Sequence, residues 1–313
     1  MNIIVVIPAL NEEASIEAVI RTVPRKINGV TAVKVLVYDD GSTDKTSAVA
    51  KKAGADFIFR HHRTYGLART FKDALSEALK AGADVIVNTD ADNQYDQREI
   101  AQLVQPILEG KSDLVIGDRQ IKNLDHMSWT KKYGNRVGSH VIRLLTGTKV
   151  SDASSGFRAF TTEVAREVNI ISEHTYTHEM IIDAHFKHFR ITNIPVTFKK
   201  RVNGTSRLIS QGIISHLIKS GATIIRTILL YEALRVLTIM GGLFISIGLV
   251  GIIRFLYLAV YSLDGGKGHV QSLIISSILI VVGFNVIVLG LIADLISYNR
   301  RLTEELKRQQ LNR

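Results

Sequence analysis

Residues 85–95 read "VIVNTDADNQY", an apolar strand that ends by placing Asp90 and Asp92 one residue apart. Like charges that close repel and raise each other's pKa, so such a pair is expected only where something positive sits between them. Carboxylate and amide oxygens suit a hard divalent cation such as Mg²⁺ or Mn²⁺, and Asp90, Asp92 and Gln94 supply them. The plainer reading is a solvated turn that caps the following "QREIAQLV".

A site of this kind needs a scaffold, and the sequence around it alternates. "MNIIVVIPAL" reads as a first strand, because a targeting segment would carry a basic start and a longer apolar run. Then come "VKVLVYDDGS" as strand, "DKTSAVAKKAG" as helix, "DFIFRHH" as strand, "GLARTFKDALSEALKAG" as helix from Gly66 and Leu67, and "ADVIVNTDAD" as strand. The rhythm predicts an α/β fold with a mostly parallel sheet and covering helices, and such sheets bind ligands beyond the carboxyl ends of their strands. "PALNEE", "DDGSTD" and "DADNQ" all fall there.

The composition leaves apolar sequence over. The chain has 313 residues, 46% of them hydrophobic, and no cysteine, which excludes disulfides and thiolate metal sites. A formal charge of +10 implies an anionic partner: nucleic acid, a membrane surface or a phosphorylated substrate. Two charge-free runs decide among these. Val236–Ile253 spans 18 residues and Leu273–Ala293 spans 21, each about long enough to cross a bilayer core. They predict a transmembrane hairpin within 234–299, with spans near 236–258 and 271–296. Its connector "SLDGGKGH" carries one Asp and one Lys, whereas Arg226 and Arg235 precede the hairpin and Arg300, Arg301, Lys307 and Arg308 follow it. The positive-inside rule then puts both termini, and a catalytic domain over 1–206, in the cytoplasm, with 300–313 as a basic tail. Arg254 closes the first span, where it can snorkel to headgroups. Between 207 and 233, Ile209, Ile213, Leu217, Ile224 and Ile228 share one helical stripe and Gln211, Ser215, Lys219 and Arg226 another. That segment suits a membrane surface or packing on the protein.

In order, "PALNEE", "DDGSTD", "DADNQ", "IGDR", "DASSGFR" and "RVNGTSR", followed by membrane helices, resemble family 2 glycosyltransferases of the polyprenyl-phosphate branch, the relatives of dolichyl-phosphate mannose synthase. The resemblance covers almost the whole chain. It implies a GT-A (Rossmann-like) fold, a nucleotide-sugar donor, a divalent cation, inversion at the anomeric carbon and a homo-oligomer. It assigns Asp92 and Gln94 to the metal and places Asp90, with Ala91, nearer the nucleotide or also on the metal. Pro8, Leu10, Glu12, Asp39 and Asp40 would surround base and ribose, whose hydroxyls and N–H groups carboxylates accept. Arg207 would reach the donor diphosphate. The loop near the sugar would be "DASSGFR", with Asp152 and Arg158, and Glu179 would contact a sugar hydroxyl.

A polyprenyl phosphate is already ionised at neutral pH, so as an acceptor it needs cations to hold it rather than a protein base. Arg119, Arg136 and Arg201 match the family positions for that task, with Ser139 or His140 one turn beyond Arg136. Taken alone, each arginine is a surface charge. His174, His178, His185 and His188 have no metal-ligand spacing. A processive polysaccharide synthase, which would use a hydroxyl acceptor, needs a Q-x-x-R-W segment, and the single tryptophan, Trp129, sits in "HMSWTKK". A nucleotidyltransferase would bring a Gly-rich phosphate loop at the start. A scaffold that has lost its catalysis would lack some of these carboxylates and arginines, and nucleic-acid binding leaves the apolar runs without a purpose.

Overall fold

The computed structural model describes residues 1–125, 127–171, 176–201, 213–261 and 270–311. Arg207, His174, the residues 207–212 that open the amphipathic segment, and the connector 262–269 lie outside them. The chain divides into two compact units, residues 1–224 and 225–313.

Unit 1 is built on seven strands: β1 (Asn2–Ala9), β2 (Ala32–Asp39), β3 (Phe57–Arg60), β4 (Val85–Asn88), β5 (Leu114–Asp118), β6 (Arg158–Thr161) and β7 (Ile191–Pro195). They form one sheet in the order β3-β2-β1-β4-β6-β5-β7. β1 is apolar and buried from Ile3 to Ala9, and β4 is buried along its whole length, as expected of central strands covered on both faces. The covering helices of the first half are α1 (Ile16–Thr22), α2 (Thr46–Ala53), α3 (Leu67–Lys80) and α4 (Ile100–Leu108). α3 turns Ala68, Phe71, Ala74, Leu75 and Ala78 inward at helical spacing, and Phe71 stacks on Tyr176 at 3.7 Å between ring centroids.

β6 alone runs against its neighbours, pairing antiparallel with both β4 and β5. The consequence is positional. The parallel strands point their carboxyl ends at one edge of the sheet, whereas β6 presents its beginning there, with Arg158 opposite Asn88 and Ile116. The loop "DASSG" before β6 therefore enters at the same edge as the loops that leave β1, β2, β4 and β5. α5 (Trp129–Thr146), α6 (Thr162–Glu167) and α7 (Thr177–Phe186) complete unit 1.

α8 (Ile213–Tyr261) and α9 (Val270–Leu311) are long, and α8 loses helical geometry at Glu232, one residue before the expected end of the amphipathic segment. Residues 225–261 and 270–300 are long and apolar enough to cross a membrane, with mean hydropathy 2.4 and 2.6. Only 11% and 17% of their most apolar stretches are buried, so they are not core helices of a soluble fold. The two pack antiparallel through glycine. A Cβ on Gly241 would come within 2.5 Å of the Gly283 carbonyl oxygen, and one on Gly283 within 2.6 Å of the Gly241 oxygen. Gly248 meets the Ser276 oxygen at 2.7 Å in the same sense, and Gly290 meets Leu237 at 3.0 Å. Backbones this close leave no room for a side chain, the usual device where apolar burial cannot drive helix pairing. Gly241→Leu is therefore expected to destabilise the hairpin by about 1–3 kcal/mol through overpacking. Gly242→Leu, at a position where a Cβ meets nothing within 4 Å, should leave the melting temperature of the detergent-solubilised protein unchanged.

Candidate active site

Three loops are laced together at the carboxyl edge. Asn11, held at φ 49°, donates its backbone N–H to Ser42 Oγ at 2.8 Å and accepts from Thr43 N through its side-chain oxygen at 2.7 Å. The Glu12 N–H donates to Thr46 Oγ1 at 2.8 Å. Asp39 and Asp40 close β2 and are both buried. Asp39 accepts from Ser42 N at 2.7 Å and from Ser47 Oγ, and Arg60 lies 3.6 Å away. Asp40 accepts from Tyr65 N at 2.9 Å and Gly66 N at 2.8 Å, and its carboxylate lies 2.8 Å from His61 Nδ1. The structure thus commits much of the Asp39–Asp40 pair to holding "DDGSTD" and the start of α3. Pro8 lies in β1 beside Tyr38, and Leu10 and Glu12 follow on the loop.

Asp90 and Asp92 follow β4 with Ala91 buried between them. Asp90 makes no hydrogen bond or ion pair among the described residues. Its carboxylate lies against the backbone of Gly156, where a Cβ would stand 2.7 Å from Oδ1. Burial, with the Asp92 charge beside it, pushes the Asp90 carboxyl up to about 7. Burial also raises Asp92, against the pull of Arg201. Asp92 accepts from Gln94 N at 3.2 Å, and the Gln94 side chain donates to Lys199 O at 3.0 Å. That bond, with Lys199 N donating to Gln94 O at 2.7 Å and a bridge between Tyr95 and Phe198, straps the segment before Arg201 onto the "DADNQ" loop.

Arg201 lies between two acids. One guanidinium nitrogen pairs with Glu12, the other stands 3.6 Å from Asp92 Oδ2, and all three side chains are less than a fifth exposed. The Glu12 carboxylate also accepts from Ser15 Oγ at 2.9 Å. Glu12 is thus the counter-charge of Arg201, a role that sequence reading gave to nucleotide contact alone.

The other arginines separate by environment. Arg119 grips Asp152 with both prongs of its fork, at 2.7 and 2.8 Å, and donates to Ser154 Oγ at 2.7 Å. Its guanidinium also lies 5.2 Å from the Phe198 ring centroid. Although burial opposes the charge on both, each partner holds the other ionised: Arg119 goes up and Asp152 down. Arg158 is wholly buried and donates to three backbone carbonyls, of Ser155, Thr177 and Ala153, at 2.7–2.8 Å. It shapes the "DASSG" loop from beneath rather than facing a ligand. Burial pulls Arg158 down to about 10. Ser139 is buried too, its oxygen accepting from Ala153 N at 3.1 Å, while His140 is exposed. Glu179 accepts from Ile171 N at 2.9 Å. Arg136, on α5, is exposed and makes no hydrogen bond or ion pair among the described residues.

The sequence reading missed several supports of the loop: Asn88, which donates to Gly156 O and Tyr176 Oη, both at 2.7 Å, Tyr95, whose hydroxyl accepts from Gly156 N at 3.1 Å, and Asn135, which accepts from Ser154 Oγ at 2.7 Å. Tyr95 closes the "DADNQ" motif itself, and its position there was the available signal. Removing the Arg119 counter-charge tests this framework. Asp152→Ala leaves a buried guanidinium unpaired and is expected to cost about 3–5 kcal/mol, read as a lowered melting temperature. Asp152→Asn should lose less.

Among the described residues, no three His, Cys, Asp or Glu side chains gather into a metal cage. What remains is an oxygen-only half-shell of Asp90 and Asp92, with Asp90 unpartnered. That donor set fits a hard divalent cation whose other ligands come from water and phosphate oxygens, the usual manner of Mg²⁺. Burial raises both carboxyls against the pull of the nearby arginines.

The description "Glycosyl transferase family 2" belongs to the family model that matches residues 4–168, over half of the chain. The undecaprenyl-phosphate mannosyltransferase of Micrococcus luteus is 29% identical over 68% of this chain and 90% of its own length. The UDP-N-acetylglucosamine–dolichyl-phosphate N-acetylglucosaminyltransferase of Methanococcus voltae is 32% identical over 50% of this chain and 68% of its own. Among solved structures, glucosyl-3-phosphoglycerate synthase of Mycobacterium tuberculosis, in complex with Mn²⁺, UDP-glucose and phosphoglyceric acid, superposes with a TM-score of 0.58 at 22% identity, covering 72% of this chain and 79% of that one. That likeness is one of fold. The sheet, the loops at its carboxyl edge and the family match agree: the chain belongs to glycosyl transferase family 2.

Proposed function

We propose that this protein transfers a hexose, with inversion, from a nucleotide sugar to a polyprenyl phosphate at the cytoplasmic face of a membrane, and that it requires a divalent cation. The observation that carries the reading is the unpartnered Asp90 beside Asp92, within one ion-pair network of Arg201, in a chain with two helices of membrane length. Relatives named for lipid-phosphate acceptors support it, although those relatives carry different sugars. The Mn²⁺ bound in glucosyl-3-phosphoglycerate synthase supports the cation.

Asp90 and Asp92, with the oxygen of Gln94, would hold the cation, which when bound neutralises the leaving diphosphate. Glu12 and the Asp39–Asp40 loop shape the wall of the nucleotide pocket. Arg119, fixed by Asp152, keeps "DASSG" over Asp90 and bounds the sugar site. Arg201 and Arg136 supply positive charge for the acceptor phosphate, which attacks without first losing a proton, so no general base is required. Residues 225–261 and 270–300 anchor the enzyme as a hairpin. A donor screen tests the reading: purified protein, a polyprenyl phosphate and a panel of UDP- and GDP-sugars, with products read by mass. Formation of a lipid-linked monosaccharide from one donor is expected; transfer to no donor on the panel would overturn it.

A further inference from the structure

One histidine at the carboxyl edge is held from both sides. His61 follows β3, and its backbone N–H donates to Asp39 O at 2.9 Å, which continues the pairing with β2. Its ring is 10% exposed and lies between two carboxylates. Nδ1 is 2.8 Å from Asp40 Oδ1, just after β2, and Nε2 is 3.0 Å from Asp73 Oδ2, on α3. Asp73 also accepts from Arg69 Nε at 2.8 Å. Tyr38 packs on the ring from β2 at 4.7 Å between centroids, and Tyr65 meets it edge-on at 4.9 Å. A carboxylate only accepts, so the two bonds form together only when both ring nitrogens carry hydrogen. The ring is then a cation between two anions.

What the ring holds in place is a loop at the ligand edge. Asp40, besides facing His61, accepts from Tyr65 N and Gly66 N where α3 begins. Between His61 and Gly66 the chain crosses the "DDG" turn so closely that a Cβ on Gly41, at φ 76°, would come within 2.7 Å of the Arg63 carbonyl carbon. Arg60 ties the same turn from β3 by donating to Ser42 O at 2.6 Å. Residues 62–65 are exposed, with the Arg63 guanidinium 5.0 Å from the Tyr65 ring centroid. The loop is thus fixed on one side by buried charge and open on the other, at the edge where sheets of this kind bind ligands.

We propose that His61 is a positioning residue for nucleotide binding: bridging Asp40 and Asp73 as an imidazolium, it ties α3 to the end of β2 and sets loop 62–65 as one wall of the nucleotide pocket. The inference rests on the reading of the donor as a nucleotide sugar. It gives the His61–Asp73 pair, which lies outside the six sequence motifs, a part in donor affinity and none in the transfer step.

Calorimetry with UDP- and GDP-sugars and steady-state kinetics compare the full-length protein with three variants. Hydrogen bonds between charged groups contribute about 10- to 100-fold to an equilibrium constant, and part of that is expected at the pocket. His61→Gln and Asp73→Ala should each weaken donor binding about 10-fold, while kcat at saturating donor stays within about two-fold. Asp73, 26% exposed on α3, keeps the test open if His61→Gln does not fold. Asp73→Asn should restore most of the affinity lost in Asp73→Ala, because its amide donates to an unprotonated Nε2 while Nδ1–H still donates to Asp40. Ring-nitrogen NMR, with the His61 signals identified by their absence from His61→Gln, should show both nitrogens protonated in the wild type and one in Asp73→Asn. Wild-type donor affinity in Asp73→Ala overturns the proposal, since a loss confined to His61→Gln would make the ring a direct nucleotide contact. So does a kcat that falls as far as the affinity, or a neutral ring in the wild type. Failure of the donor reading looks different, because the wild type itself would then bind no nucleotide sugar on the panel.

Discussion

Asp92→Asn is expected to lower kcat at least about 100-fold, about 3 kcal/mol of transition-state stabilisation, with the protein still folded. The carboxylate stands beside the unpartnered Asp90 and 3.6 Å from Arg201, so its loss removes a proposed cation ligand and one of the two acids that flank Arg201. Chelation of the wild type should give the same loss, reversed by Mg²⁺ or Mn²⁺, and Mn²⁺ binding followed by electron paramagnetic resonance should weaken in parallel. Asp90→Asn separates activity from stability. It removes a charge that burial and Asp92 both disfavour, so the chelated variant should melt no lower than the chelated wild type while turnover falls. Full activity in excess chelator, or wild-type turnover in Asp92→Asn, would place the charge-neutralising group elsewhere.

The edge on which this chemistry sits was legible in the sequence because strand periodicity and strand ends are local. "VIVN" stops two residues before Asp90, and "VLVYD" stops on Asp39, as an apolar run followed by acids requires. The reversal of β6 was not legible. "RAFT" is four residues long, and its direction is set by pairing with Val85–Asn88 and Leu114–Ile116, strands distant in sequence that no local pattern encodes. The same limit governs the arginines. Motif order singled out Arg119, Arg136, Arg158 and Arg201, but their environments depend on partners far along the chain. Glu12 meets Arg201 across 189 positions and Arg119 meets Asp152 across 33. Burial decided the rest: Arg158 ends wholly enclosed among carbonyls, whereas Arg136 ends in the open on α5.

That difference in environment predicts three distinct outcomes for three arginines that the motifs treat alike. Arg136 has no partner to lose among the described residues, so Arg136→Ala should leave the melting temperature and nucleotide-sugar affinity unchanged and act on the acceptor alone. A charge-assisted hydrogen bond to phosphate contributes about 1.5–3 kcal/mol, which raises the polyprenyl-phosphate KM or lowers kcat by about 10- to 100-fold. Lysine at the same position should recover part of that, since it keeps the charge without the planar fork. Arg119→Ala instead strands Asp152, 1% exposed, without its bidentate partner, and should appear first as lost stability. Arg201→Ala stands between these cases. It frees Glu12 and Asp92 from their shared cation, so it should change both acceptor kinetics and divalent-cation binding. Steady-state kinetics with varied acceptor, calorimetry with the nucleotide sugar and a melting curve for each variant separate the three. If Arg136→Ala weakened donor binding and left acceptor kinetics intact, or if the wild type glycosylated a polyprenol as readily as its phosphate, the nucleophile would not be a phosphate and Arg136 would not be its anchor.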